Sequence, residues 1–387
     1  MNNNITTYKD SLLGKIPGDW EVKHFEDIAD IDKESLNSST SKDYKFDYIS
    51  LSDVDCDDFK IETTKQIFAN APSRARRIVK KGDILMATVR PNLQGFSLIR
   101  DDVKDLIAST GFAVITSKKC NNEFLYQYLF SSGISRQFYQ LLVGSNYPAI
   151  NSSDVRKLKL PLPPLSEQKA IAHILCLMDT AINKNNQLID NKKLQKNWLM
   201  QNLLTGKKRL NGFGGEWEKY SYEKLFKDVK RTVEWNDDEL YHLISVRRRS
   251  GGIFFRDALY GHQIKVKDLR TANEGDFLFS KMQILHGASA LVTKEFTGSK
   301  ISGSYIAVVS RDPNILKMEY FNWVSQLKYF YHQTYISSYG VHIEKMTFDF
   351  EIFLSLDTKL PPIEEQTAIS QVLLEADKEI QMLKAKT

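Results

Sequence analysis

LPPLSEQKAIAHIL, residues 162–175, returns as LPPIEEQTAISQVL at residues 360–373. A motif this long, met twice at such a distance, marks a duplicated domain; solenoid repeats recur every ~20–50 residues. Outward from it, three further pairs keep the same order. GDWEVKHFEDIADI from Gly18 matches GEWEKYSYEKLFKDV from Gly215, and KGDILMATVRPNLQGFSLI from Lys81 matches EGDFLFSKMQILHGASALVT from Glu274. GFAVIT from Gly111 matches YIAVVS from Tyr305. All four lie at offsets of 193–198 residues, so the chain is one unit written twice.

Each copy has two parts. In the first, residues 16–160 and again 215–359, strand signals mix with shorter helices. Ile84–Val89, Phe112–Thr116, Asp276–Ser280 and Tyr305–Ser310 are rich in Val, Ile, Phe, Ala and Thr and follow turn residues, which predicts strands. Phe124–Tyr139 and Met318–Gln333 are apolar at spacings of three and four, which predicts helices. The strand order is not readable from these signals.

The second part opens with Pro163-Pro164 or Pro361-Pro362 and continues as a long helix, since proline suits a helix approach but not its interior. Ser166 is placed to cap it, and Glu167 and Glu365 suit the positive end of the helix dipole. Ile171, Leu175, Met178, Ile182, Ile189, Leu199 and Leu203 form a seam, and Ile369, Leu373, Ala376, Ile380 and Leu383 repeat it in the same phase. Asn185, Lys192 and Lys196 interrupt the seam; polar residues there weaken a coil but specify its register and partner. From Ser166 to about Thr205 the helix would be roughly 60 Å long, with Gly206 as its stop. A core helix of one globular domain would show the same pattern, but such length favours a spacer.

Composition is that of a globular protein, 42% hydrophobic and 26% charged, with a net charge of +5 that permits nucleic-acid binding only where it is clustered. No apolar run approaches the ~18 residues of a membrane helix, and MNNNITTYKD lacks a signal-peptide pattern, so a cytoplasmic protein is expected. Cys56, Cys120 and Cys176 are scattered, which argues against a disulfide scaffold or a zinc site.

PLPPLSEQKAIAHILCLMD…LLTGKKRL resembles the central conserved region of type I restriction–modification DNA-specificity subunits. GDWEV, KGDILMATVRPNLQGF and GSNYPAINSSDVRKLKLPLPP resemble the framework of that family's target-recognition domains. The resemblance covers essentially the whole chain. It implies an α+β protein: two mixed α/β recognition domains in tandem, held apart by two long antiparallel helices in a coiled-coil-like spacer, with pseudo-twofold internal duplication. On this reading residues 1–160 are the first recognition domain and 161–210 the central helix. Residues 211–359 are the second recognition domain and 360–387 a shortened second helix. The resemblance further implies that each domain reads half of an interrupted site in double-stranded DNA. Two modification (methyltransferase) subunits and restriction–translocation subunits would be the partners. S-adenosylmethionine, ATP and Mg²⁺ would bind those partners, with no cofactor and no metal in this chain. One departure stands out: the second helix can run only from about Glu364 to Thr387, roughly 35 Å. SLLGKIPGDWE from Ser11 resembles LLTGKKRLNGFGGEWE from Leu203, so residues near 8–14 are expected to complete the shortened end; the alternative is a truncated chain.

Candidate DNA contacts are basic or polar residues in the recognition parts. Arg74, Arg76, Arg77, Lys80 and Lys81 crowd one stretch containing no acid. In the second copy Arg247-Arg248-Arg249 precedes Ser250-Gly251-Gly252 and Arg256. Arginine forks grip guanine edges or phosphates, although a solvated charged surface would read the same. Arg90, Asn92 and Gln94 follow a strand, with Lys281, Gln283 and His286 in the equivalent place. Polar loops are expected after the aromatic helices, at Ser145-Asn146-Tyr147 and Ser338-Tyr339, with tight turns as the plainer reading. The basic run from Lys184 to Arg209 suits DNA phosphates, an acidic partner or a solvated helix face.

No GxxxxGK[ST] loop, [ND]PP[YF] methyltransferase motif or HExxH site occurs, so no catalysis is expected in this chain. Asp154 with Glu167-Gln168-Lys169 loosely matches a nuclease pattern, but the second copy reads Glu365-Gln366-Thr367 and drops the lysine. The competing readings are a stand-alone two-domain DNA-binding regulator, an enzyme with an unrecognised site, and a coiled-coil scaffold.

Overall fold

A computed structural model of the chain describes residues 7–55, 60–142, 148–343 and 346–386. The chain divides into two compact units, residues 1–184 and 185–387. In the first, one four-stranded antiparallel sheet has the order Phe96–Leu98, Ile84–Ala87, Phe112–Ser117, Ala29–Ile31. Its second strand is buried at every residue, so it reads as continuous Ile-Leu-Met-Ala without alternation. A second sheet has the order Thr64–Ile67, Lys45–Ile49, Leu106–Ser109, Ala75–Val79, with a parallel pair at its centre. Glu21–His24 pairs with Lys159–Leu162, so the repeated GDWEV and LPLPP segments close the unit together.

The second unit repeats this plan. Phe226–Asp228, Tyr305–Ser310, Phe277–Ser280 and Ser289–Leu291 form one sheet. Ile253–Tyr260, Leu240–Val246, Lys300–Ser302 and Leu269–Thr271 form the other, again with a central parallel pair. Glu218–Ser221 with Asp357–Leu360 is the closing pair. The core here is aromatic: Phe321 packs edge-on against Phe226 and Phe277, each at 4.8 Å, and Tyr222 stacks on Phe353 at 4.3 Å.

Each expected aromatic helix is two helices. The first copy has Asn122–Tyr128 and Ser132–Leu142, the second Met318–Val324 and Lys328–Ile336. The break carries a buried leucine, Leu129 or Leu327, so the apolar spacing continues while the backbone turns. In the first copy the Ser131 hydroxyl accepts the Ile134 amide at 3.3 Å and restarts the helix.

The long helix runs Leu165–Leu203, 39 residues, and the second Ile363–Lys384, 22 residues. Ser166 is not the cap: the Pro164 carbonyl takes the amides of Glu167 and Gln168 at 2.9 and 3.0 Å, which puts Ser166 inside the first turn. The residue that secures the helix start is Gln168. Its side chain donates to Pro163 O at 2.7 Å and accepts from the Asn121 amide at 2.8 Å. Gln366 repeats both bonds, to Pro361 O at 2.9 Å and from the Lys317 amide at 3.0 Å. The glutamine of the duplicated motif is a tie between helix and recognition sheets, used twice.

Within the second unit, residues 185–203 pack antiparallel on the 22-residue helix. Asn185 donates to Leu383 O at 3.0 Å, Lys192 pairs with Glu379 at 2.8 Å and Lys196 with Asp377 at 2.5 Å. These are the three polar seam positions, and they set the register of the helix pair. Gly206 stops the helix with a left-handed φ of 70°, against the Trp217 ring. Arg209 returns to Glu365 through two bonds of 2.6 and 2.5 Å; Glu365 is fully buried. In the first unit Trp20 donates to Glu167 at 3.1 Å, whereas in the second Glu365 is taken by Arg209 and Trp217 Nε1 has no partner among the described residues. Residues 8–17 do not extend a helix: Tyr8–Ser11 and Gly14–Pro17 pair as a β-hairpin with Leu12 exposed.

Candidate nucleic-acid interface

In the first unit the strand Ile84–Ala87 runs into a tight turn. Arg90 (φ 50°) and Gln94 (φ 56°) adopt left-handed backbone around the short helical turn Pro91–Leu93, and Arg90 and Asn92 are both exposed. This turn is tied to the segment after the aromatic helices. The Arg90 amide donates to Pro148 O at 2.7 Å and the Ile150 amide to Thr88 O at 2.9 Å. Ser145, Asn146 and Tyr147, at the far side of that tie, lie outside the described residues.

The arginine–lysine run at 74–81 is dispersed by the fold. Arg74 is exposed, and its carbonyl accepts the Thr110 amide at 2.8 Å, next to the Thr88–Gly111 contact, which brings it towards the same end as the Arg90 turn. Arg76 lies over the Phe68 ring at 4.8 Å. Arg77 is bound to Asp32 at 3.0 Å, and Asp32 is nearly buried. Lys80 pairs with Glu34 at 2.5 Å and Lys81 with Asp102 at 2.8 Å; that last bond lifts Lys81 above the ordinary lysine range. The stretch holds no acid of its own, yet three acids from elsewhere in the chain meet it.

The second unit assembles its candidates more tightly. Arg247, Arg248 and Arg249 form the turn between Leu240–Val246 and Ile253–Tyr260. Arg249 (φ 57°) and Ser250 (φ 53°) are strained left-handed residues. Three bonds hold them there. The Arg249 amide donates to His286 O at 2.6 Å, the Ser250 amide to Gly287 O at 2.9 Å, and the Ser250 and Tyr331 hydroxyls meet at 2.9 Å. Gly287 has φ 73°, and a Cβ there would sit 2.0 Å from the Tyr331 hydroxyl oxygen. Glycine is therefore required both for the turn and for the tyrosine's approach.

These groups line a cleft of about 620 Å³, with Arg248, Arg249, His286 and Tyr331 alongside Lys196, itself paired with Asp377, and Asn197 of the long helix, and with no carboxylate among the described lining residues. Such a cleft favours an anion. Arg247 lies over Phe254 at 4.4 Å, and Arg256 sits on the edge strand 3.5 Å from Asp257. Gln283 is half-buried, with its Oε1 lacking a partner among the described residues. Lys281 turns inward: its ammonium donates to Gly303 O at 3.1 Å, and its carbonyl takes the Phe348 amide at 3.0 Å, the counterpart of the Thr88–Ile150 tie. Ser338–Tyr339 is not a loop but a short strand paired with Thr347–Phe348; Ser338 bonds to Thr334 O at 2.7 Å and Tyr339 is exposed.

The basic run on the long helix is largely used within its own unit. Lys192, Lys196 and Arg209 reach Glu379, Asp377 and Glu365, Lys193 reaches Asp190, and Lys208 lies over Trp198 at 4.9 Å. Tyr331 and Asn197 escaped the sequence reading, because nothing in YFYHQTY or QKNWL marks a cleft wall. Among the described residues no cluster of His, Cys, Asp and Glu could hold a metal ion, and no helix is long and apolar enough to cross a membrane.

The family model of the type I restriction modification DNA specificity domain matches residues 17–193. The MjaVIII specificity subunit of Methanocaldococcus jannaschii is 29% identical over 220 residues, 53% of this chain and 50% of that protein, so the chain spans about half the length of this relative. The MjaX specificity subunit of the same organism is 25% identical over 96% of this chain and 89% of its own. In fold, the chain is similar to one from a type I restriction–modification complex (TM-score 0.62, 21% identity, 96% of this chain and 93% of that one). It is also similar to the HsdS subunit of Thermoanaerobacter tengcongensis (TM-score 0.54, 22% identity, 96% and 92% covered).

Proposed function

We propose that the chain is a type I restriction–modification specificity subunit, as the family model over residues 17–193 and its relatives support, and that it reads a two-part DNA site on behalf of partner enzymes. One observation carries the reading. The same fold occurs twice, each copy ties the turn after its buried central strand to the segment after its aromatic helices, and the side chains at those turns differ. Arg90 and Asn92 stand in the first copy where Gln283 and Leu285 stand in the second. A common framework with unlike contact residues suits two unlike half-sites.

The mechanism is binding without chemistry. The carboxylate-free cleft of the second unit holds a phosphate or a guanine edge between Arg248 and Arg249, while the exposed Arg74 and Arg90 serve the first. Two modification subunits and restriction–translocation subunits bind this chain in the cytoplasm. Those partners hold S-adenosylmethionine, ATP and Mg²⁺ and perform methylation and cleavage.

The test is methylome sequencing of a clean host that co-expresses this chain with its neighbouring modification subunit. An interrupted two-part motif, methylated only when both are present, is the expected result. Specific DNA binding with no new methylation, both proteins being folded, would instead indicate a stand-alone regulator.

A further inference from the structure

The two copies differ where the sheet meets the first aromatic helix. In the first, Arg100 stands two residues past Leu98, which pairs with Ile84, and Glu123 stands two residues past Asn121, whose amide Gln168 accepts. The Arg100 guanidinium donates to both Glu123 oxygens, at 2.9 and 2.8 Å, and lies over the Tyr126 ring at 5.3 Å. In the second, Leu291 pairs with Phe277 and the Lys317 amide goes to Gln366, so the same counts lead to Thr293 and Glu319. The carboxylate is kept and the arginine is missing. Glu319 is exposed, and among the described residues its side chain has no hydrogen bond or ion pair, not even with Lys317 two residues before it. The place is open: a groove of about 510 Å³ is lined by Glu319, Lys317 and Asn322 and by Leu291, Trp323 and Leu374, the last 47% exposed.

We infer that this groove is a docking site for an arginine side chain carried by a partner protein, its alkyl stem against Leu291, Trp323 and Leu374 and its guanidinium on Glu319. The first copy supplies the chemistry of the occupant: the same carboxylate, at the same turn of the same helix, takes a guanidinium through two bonds. Arginine fits better than lysine, because its planar fork matches a carboxylate bidentately. Its stem also covers apolar wall that water otherwise wets. Because Arg100 already fills the corresponding place in the first copy, the chain carries this site once and not twice.

The experiment uses the full chain with isotope-labelled tryptophan, so that NMR shows the indole signals of its five tryptophans, that of Trp323 being identified by Trp323→Phe. The probes are an acetylated, amidated Leu-Arg-Leu peptide and the same peptide with citrulline, which keeps the shape and drops the charge. The arginine peptide should shift the Trp323 signal and leave those of Trp20 and Trp235 in place. Glu319→Gln should weaken its binding by about tenfold or more, the loss expected for a hydrogen bond to a charged group, and citrulline should weaken it by as much. Thr293→Arg, at an exposed position, should fill the groove from within as Arg100 does. It should raise the urea midpoint and abolish the peptide's effect, and adding Glu319→Gln should remove the gain in midpoint. A Trp323 signal that ignores the arginine peptide overturns the inference, as does binding that citrulline or Glu319→Gln leaves intact. A DNA duplex that shifts Trp323 where the peptide does not would make the groove part of the reading surface, and the arginine site would be wrong.

Discussion

Arg74 and Arg77 stand three residues apart in one basic run, and the fold gives them opposite surroundings. Arg77→Ala would take its cation from the nearly buried Asp32 carboxylate, which keeps the Ser152 hydroxyl and the Val114 amide, and should cost about 1–3 kcal/mol in urea unfolding, with the DNA motif unchanged. Arg74→Ala should leave stability alone, weaken DNA binding and lower the log–log salt slope by about one. Equal binding losses with no change in stability would contradict the assignment. In the second unit, Gly287→Ala forces a Cβ onto the Tyr331 hydroxyl at left-handed φ and should cost about 1–3 kcal/mol. Tyr331→Phe removes only the bond to Ser250, about 1 kcal/mol, and should blur one half of the methylated motif while sparing the other. Asp83 and its counterpart Asp276 are both buried, but Arg231 bonds Asp276 at 2.6 and 3.1 Å. Among the described residues Asp83 has Thr116 and the Lys80 amide, each at 2.7 Å, and burial pushes its carboxyl above the usual carboxylate range. A carboxyl raised on folding supports the fold fully below its unfolded pKa and loses that support as pH rises through the native one. Wild type should therefore lose stability relative to Asp83→Asn across the mildly acidic range, read as urea midpoints; the opposite slope would sink this account.

At the scale of elements, the helix starts carry more information than the helix lengths. Each is built from a proline pair whose carbonyls are taken by the first amides and by a buried glutamine that also reaches the recognition part. The second start is reinforced by Arg209, whose guanidinium is held above its ordinary pKa by the Glu365 carboxylate. Arg209→Ala should leave that carboxylate buried alone and cost about 3–5 kcal/mol, and Arg209→Met with Glu365→Gln should recover much of it. A single change without effect on the urea midpoint would show that the pair contributes no stability. The aromatic helices make the opposite point. Their apolar spacing crosses a break because both halves bury on one core, so periodicity alone reads two helices as one.

For the whole molecule, the duplicated topology implies two readers that can be exchanged. Replacing residues 16–160 with the corresponding part of a relative should change one half of the methylated motif and leave the other; coupled changes in both halves would refute independent reading. The sequence by itself determined the duplication, the two proline-led helices and the polar seam positions. Those features are written in local spacing, residue by residue, and local spacing survives without knowledge of the fold. Only the tertiary structure decided which cations are available to a ligand. The partners of Arg77, Lys80 and Lys81 are Asp32, Glu34 and Asp102, brought in by strand pairing. It also decided that the arginine turn, the His286 turn and Tyr331 form one cleft, although they come from three separate stretches of chain. Charge and hydrogen bonding act through space, so a run of like charges on paper says little until the chain has placed the acids that answer it.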